Sequence, residues 1–324
     1  MSQSSTVILK DNWRFSKEVK EDAYSVDYDA SKWEKVSVPH DWAIYGPFDK
    51  KWDIQTGIIE QNGEKEATEK TGRTGALPHI GTGWYRNTFT IPEFKKGKKA
   101  ILLFEGAMSE PQVFLNGKKI GNWGYGYSYF YIDITNDLTA GSENVLAVKL
   151  TNLPFSSRWY PGAGLYRNVS VIVSEQESFA QWGTFITTPE TKSNDAVVDI
   201  KAEFHGSNVS MITQIKDAEN KVVATQKTTE TKDGKFHQTI SVAKPNLWSP
   251  ETPYLYTAVT KLYAADGTLK DEQNIKFGIR YIKYEPNKGF SLNGKVTKFK
   301  GVCLHHDLGP LGAAVNKAAL RRQL

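Results

Sequence analysis

Cysteine is nearly absent from this chain. The single Cys303 excludes an intramolecular disulfide and any cysteine-based metal site. It lies in an apolar run and reads as a small buried hydrophobe. Long uninterrupted apolar stretches are missing too, so no transmembrane helix is expected. Met1 to Thr6 (MSQSST) has neither a basic start nor an apolar core, so no signal peptide is visible in these residues, and the compartment stays open between cytoplasmic, periplasmic and secreted. Excess charge is small: the net value is +5, spread along the chain. Its densest basic run, Lys95, Lys96, Lys98 and Lys99 around Gly97, reads as a solvated turn. Basic residues do not interleave with aromatics on one surface, which argues against a nucleic-acid partner. Acidic residues stop altogether after Asp307.

With 324 residues, 39% of them hydrophobic, the chain can build about two domains, with a third in reach. Residues 1–177 read as one all-β domain. Short apolar or alternating runs recur between turn signals: WYRNTFTI (Trp84 to Ile91), AILLF (Ala100 to Phe104), QVFL (Gln112 to Leu115), FYIDI (Phe130 to Ile134), VLAVKL (Val145 to Leu150) and VSVIV (Val169 to Val173). Asn116-Gly117 directly after QVFL predicts a hairpin, because Asn-Gly supplies the positive φ angles of a type I′ turn. Eight of the nine tryptophans (13, 33, 42, 52, 84, 123, 159 and 182) fall in the first 182 residues. Such a domain could stack sugars on aromatic faces; taken singly, each tryptophan is read as core. Tyr125, Tyr127, Tyr129 and Tyr131 alternate strictly, which predicts one aromatic face of a strand. Residues 46–80, with the charged run Glu60 to Lys70, break the strand rhythm and read as a surface excursion or a functional loop.

From 178 to 283 tryptophan nearly vanishes and Thr, Lys and Asp rise. About seven short strands without a cysteine pair predict an immunoglobulin-like sandwich lacking its disulfide. Pro245, Pro250 and Pro253 around Trp248 predict a stiff loop held by one aromatic. From 284 a hairpin turning at Asn293-Gly294 leads into a predicted buried strand ending at Leu304. That strand runs into His305, His306 and Asp307, then a Gly-rich loop and a short helix over Lys317 to Leu324 capped by Asn316. Strand, polar cluster, loop and helix is how a β/α unit sets chemistry at a strand's C-terminal end. Two adjacent histidines on a strand point to opposite faces and no third ligand stands at sensible spacing, so no metal site is read here and no cofactor is expected. His40-Asp41 fails as a catalytic dyad for the same reason of divergence, since a dyad needs a nucleophile within reach.

The ordered set DNWRF (Asp11 to Phe15), WEKVSVPHDW (Trp33 to Trp42), GTGWYRNTF (Gly81 to Phe89), FEGAMSEPQVFLNGKKIG (Phe104 to Gly121), GYSYFYIDIT (Gly126 to Thr135), RWYPGAGLYRNV (Arg158 to Val169), LWSPETPYLY (Leu247 to Tyr256), FGIR (Phe277 to Arg280) and GFSLNGKVTKFKGVCLHHD (Gly289 to Asp307) resembles the N-terminal part of glycoside hydrolase family 2, closest to its β-galactosidase-like members. The resemblance implies a jelly-roll, sugar-binding-like domain at 1–177, an immunoglobulin-like sandwich at 178–283, and at 284–324 the truncated start of a (β/α)8 catalytic barrel whose first strand is Lys298 to Leu304. It implies retaining chemistry by two glutamates, acid/base and nucleophile, about 5 Å apart. Both belong to later barrel strands, so the catalytic pair is expected to be missing and this chain to be inactive alone. The resemblance makes His305, His306 and Asp307 the substrate-binding candidates, with His305 bonding a sugar hydroxyl and Asp307 its partner. It makes PHDW a structural motif, while Arg158, Trp159 and Arg167 read as mostly structural on general grounds, and it offers the loops at 46–80 and 155–164 as excursions toward the active site. The segment ahead of WYPGAGLYR, Pro154 to Arg158, lacks the carboxylate that better-known galactosidases carry there.

The expected function is therefore the non-catalytic N-terminal module of a retaining exo-β-glycosidase acting on a terminal β-galactoside. β-Glucuronidase or β-mannosidase specificity of the parent, and a stand-alone carbohydrate-binding sandwich, are the alternatives. A homo-oligomer stays open.

Overall fold

The computed structural model describes residues 4–17, 21–52, 75–92, 97–157, 159–189, 194–229, 231 and 234–324. The charged run Glu60 to Lys70, Lys95, Lys96 and Arg158 lie outside the described residues. The chain forms two compact units: Ser5–Val173 together with Leu304–Leu324, and a second made chiefly of Ser174–Cys303. The segment 284–324 is divided between them.

The first unit is a β-sandwich. One sheet has four strands in the order Ser5–Ile8, Val169–Ser174, Lys99–Phe104, Phe130–Asp133; the other has six, Glu34–Val36, Trp13–Ser16, Gly81–Thr90, Glu143–Asn152, Gln112–Leu115, Lys118–Asn122. Lys99–Phe104 alternates half-buried and buried positions, which places Ala100, Leu102 and Phe104 inside. They meet Trp13, Phe15, Tyr85, Leu146, Val148 and Leu150 from the facing sheet. Gly81–Thr90 is buried on both faces through its middle. Tyr85 enters the main core, while Trp84 packs outward with Ala23, Phe114 and Ala147 beneath Tyr28 and Trp33. The covering segment is fixed by Arg86, which donates to the carbonyls of Ala23 (2.5 Å) and Ser25 (2.9 Å). The Asn116-Gly117 hairpin forms as expected, with φ of 51° and 80°.

Residues 178–277 of the second unit hold, among the described residues, seven antiparallel strands in two sheets: Ser178–Thr187, Ala196–His205, Lys235–Val242; and Val222–Thr228, Val209–Lys216, Tyr256–Ala264, Leu269–Phe277. Lys235–Val242 alternates exposed and buried without a break. Val198, Ile200, Ile215, Ile240 and Ala258 form one core cluster, and Met211, Phe236 and Leu262 another. Trp248 lies in its Pro-rich loop: its backbone N–H donates to Ile279 O (2.8 Å), and the Arg280 guanidinium lies 4.7 Å from its ring centroid. A small three-stranded sheet, Ile282–Glu285, Gly289–Leu292 and Lys295–Val296, carries the expected Asn293-Gly294 turn.

Four expectations are corrected. Lys298 to Leu304 is not a buried strand; Phe299, Val302 and Leu304 are 73%, 91% and 61% exposed, and no described strand pairs with the segment. Apolar sequence favours a strand only where neighbours take up its backbone groups and side chains. Cys303 is consequently exposed, not buried. The four tyrosines do not form a strand ladder, because residues 123–129 are a loop and only Tyr131 lies in the strand Phe130–Asp133. Finally, Trp13, Trp42 and Trp84 are core, but Trp123, Trp159 and Trp182 are substantially exposed. Trp182 sits at a bulge with φ of 57°. Bulges and loops turn side chains out of the alternation on which a core assignment rests.

Candidate functional site

The site is built on PHDW. His40 N–H donates to Leu165 O (2.8 Å) and Trp42 N–H to Ala163 O (2.9 Å), so this segment runs beside the PGAGLY stretch. Alternate side chains then diverge. His40 turns into the core, packs on Phe15 and places Nδ1 2.7 Å from the Tyr85 hydroxyl. Burial pushes its pKa down to about 4, so the ring is neutral. Asp41 turns the other way. Its Oδ1 accepts from the Tyr160 hydroxyl (2.5 Å) and Ala43 N–H (3.1 Å), and its Oδ2 from Ala313 N–H (2.8 Å). Burial raises the Asp41 pKa, against the lowering effect of these three donors. The Tyr160 phenol is pushed far above its ordinary value by burial and by Asp41, which keeps it protonated and donating.

Ala313 belongs to the loop after the two histidines, so Asp41 ties that loop to the sandwich. Val315 N–H adds a bond to Tyr166 O (3.0 Å). His306 Nε2 lies 2.9 Å from Pro161 O, and since a carbonyl can only accept, Nε2 carries the proton. The His306 ring packs edge-on against Tyr127 (5.1 Å) and Tyr166 (6.0 Å), and burial lowers its pKa. His305 faces Trp159 at 5.4 Å. Trp159 Nε1 donates to the Tyr127 hydroxyl (3.2 Å), and Tyr166 donates to Gly126 O (2.7 Å). Trp159, Tyr127, His305 and His306 thus make one ring-lined surface, on which Trp159 and His305 are exposed and His306 is half-buried.

An exposed indole beside an exposed imidazole presents a stacking face and hydrogen-bonding nitrogens, a combination suited to the C–H face and hydroxyls of a sugar. Asp307 lies in the loop that follows the two histidines. Its Oδ2 accepts from Gly309 N–H (3.2 Å), turning its own loop, and it makes no bond to His305. Among the described residues no group of three or more His, Cys, Asp or Glu side chains could hold a metal ion. The sequence placed Tyr127 on a strand face and assigned Tyr160 and Tyr166 no role of their own, and Asp41's grip on Ala313 was not legible in it. The available signal was WYPGAGLYR, where glycines among aromatics mark close backbone approach: a Cβ on Gly162 would lie 2.5 Å from that of Ala313.

Two family models match in tandem. The sugar binding domain of glycosyl hydrolases family 2 matches residues 8–175, more than half the chain, and the family's second model matches residues 182–280. The chain belongs to glycosyl hydrolases family 2. It is 37% identical over 323 residues to the β-galactosidase BoGH2A of Bacteroides ovatus, covering 97% of this chain and 36% of that one. The crystal structure of a family 2 member from Bacteroides cellulosilyticus superposes with a TM-score of 0.84 at 32% identity, over 98% of this chain and 41% of the other. A β-glucuronidase from Bacteroides uniformis gives 0.82 at 28% identity, over 99% and 38%. The chain therefore spans 36%, 41% and 38% of these three proteins, well short of their full length.

Proposed function

We propose that this chain is the non-catalytic N-terminal part of a retaining exo-β-glycosidase, with β-galactosides as the first substrate class and β-glucuronides as the second. The observation that carries the reading is the match of both family 2 models in order, at 37% identity to a protein named as a β-galactosidase. The second class is supported by the similarity to β-glucuronidases. The division into a sugar-binding-like domain at 1–177, an immunoglobulin-like one at 178–283 and a barrel start at 284–324 fits the model matches at 8–175 and 182–280.

Within this reading, His305 and Trp159 touch the sugar, while His306 and Asp307 hold the loop that carries His305. The two described carboxylates most withdrawn from solvent, Asp41 and Asp271, are both occupied by backbone donors, which leaves neither as an acid/base group. The test is turnover of chromogenic β-galactoside, β-glucuronide and β-mannoside by the purified chain, with galactose and glucuronate titrations by calorimetry. No turnover with saturable sugar binding is expected. Turnover above the buffer rate would overturn the non-catalytic assignment, and Trp159→Ala that left sugar affinity unchanged would overturn the stacking face.

A further inference from the structure

We propose that Asp41 is a positioning residue that couples the two loops of the candidate sugar site, the Trp159 loop and the His305 loop, through the two oxygens of one carboxylate. The inference rests on the sugar-contact reading above and adds to it the element that sets the site's geometry. One oxygen holds the Tyr160 hydroxyl, next in sequence to Trp159 (2.5 Å); the other holds Ala313 N–H, on the far side of the loop that starts at His305 (2.8 Å). A carboxylate is fitted to this task because it accepts in both directions at once, and charge-assisted bonds of this kind are short and strong.

The surroundings make the geometry unforgiving. Asp41 is 1% exposed and Tyr160 is 7% exposed, so water does not replace a lost partner at either end. Gly312, at φ +67°, approaches so closely that a Cβ there would lie 2.6 Å from Asp41 Oδ2 and 2.3 Å from Ile44. Gly162 meets Ala313 in the same manner on the Trp159 side. The His305 loop can therefore close only on a backbone free of side chains at its contact point. Once closed, it sets His306 against Pro161 O and His305 against the Trp159 ring. Asp41 itself lies behind the ring-lined surface and touches neither exposed ring; its influence on a sugar is exerted through Tyr160 and Ala313.

Asn at position 41 separates this role from bulk. It keeps the size of Asp but offers one acceptor and one NH2 group, and that NH2 cannot satisfy Ala313 N–H while the carbonyl holds Tyr160. In Asp41→Asn, amide exchange at Ala313 and Val315 should rise about tenfold relative to core amides such as Tyr85, the imidazole resonances of His305 and His306 should shift, and galactose affinity should fall about tenfold. Tyr160→Phe, which removes only one arm, should leave Ala313 protected while still shifting the His305 resonance. Unchanged exchange at Ala313 in Asp41→Asn, or equal acceleration of Ala313 and Tyr85, would overturn the coupling. Galactose binding by the wild-type chain decides the sugar reading separately: its absence would sink that reading, while the exchange ratio still decides the latch.

Discussion

Acidification should destabilise the first sandwich through His40, and the size of the effect follows from its surroundings. The ring sits in the core against Phe15, and Nδ1 accepts from the Tyr85 hydroxyl. Tyr85 is fully buried and its phenol is pushed well up by burial, so it keeps its proton, and His40 Nδ1 lies within reach of that hydroxyl at 2.7 Å. Protonating Nδ1 would set two donors against each other inside an apolar cluster. The folded pKa is about 4 against 6.5 in the unfolded chain. A depressed base means that the unfolded state binds the extra proton, so stability is complete above pH 6.5 and is lost as pH falls toward 4. Integrating the two titrations gives a loss of about 2 kcal/mol between neutrality and about pH 5. Asp41 and Asp271, raised by burial, act in the opposite sense above the ordinary carboxylate range, and His306 acts in the same sense as His40. The His40 contribution is therefore read as the difference between wild type and His40→Gln, in urea denaturation followed by tryptophan fluorescence across this range. Gln can still accept from Tyr85 but does not titrate. The variant should lose about 2 kcal/mol less than wild type on acidification. An equal loss in both would refute the assignment of a neutral, core-locked imidazole.

Two further outcomes follow from single contacts. Asp41→Ala strips acceptors from the Tyr160 hydroxyl and from Ala313 N–H, and should cost about 3 kcal/mol of unfolding free energy in denaturant titration; a loss below about 1 kcal/mol would mean that water enters the gap. Asn316 caps the helix Lys317–Gln323 by accepting from Ala318 and Ala319 N–H (3.0 and 3.1 Å), so Asn316→Ala should lose about 1 kcal/mol locally, seen as faster amide exchange at those two residues with the sandwich core unaffected.

Much of the architecture was legible because it rests on local rules. Period-two alternation names the inward residues of Lys99–Phe104 and Lys235–Val242. Asn-Gly pairs fix two hairpins because few other sequences take up successive positive φ angles. Asn316 announces a helix start by offering its side chain to two amides. The ordered motifs placed the chain in its family, since a set of short segments in fixed order is far more specific than any one of them. His305 and His306 were visible as candidates because polar residues after an apolar run are conspicuous.

Tertiary structure decided which of these signals were realised and what the polar groups do. Lys298 to Leu304 has the composition of a buried strand, yet burial needs neighbours, and composition carries no information on whether they are present. Trp13 and Trp159 are the same residue type, but one has a facing sheet to fill and the other a loop edge, so one is core and the other is exposed. Asp41 and Ala313 stand 272 positions apart. Their bond exists only because His40 and Trp42 pair with Leu165 and Ala163, which turns Asp41 outward to meet a loop that glycines allow to come close. Most of the strands, the Asn-Gly turns and the family are readable in the residues alone. The choice of partners for each buried polar group was left to packing, because a hydrogen bond's energy depends on what surrounds it and not on where its residues lie along the chain.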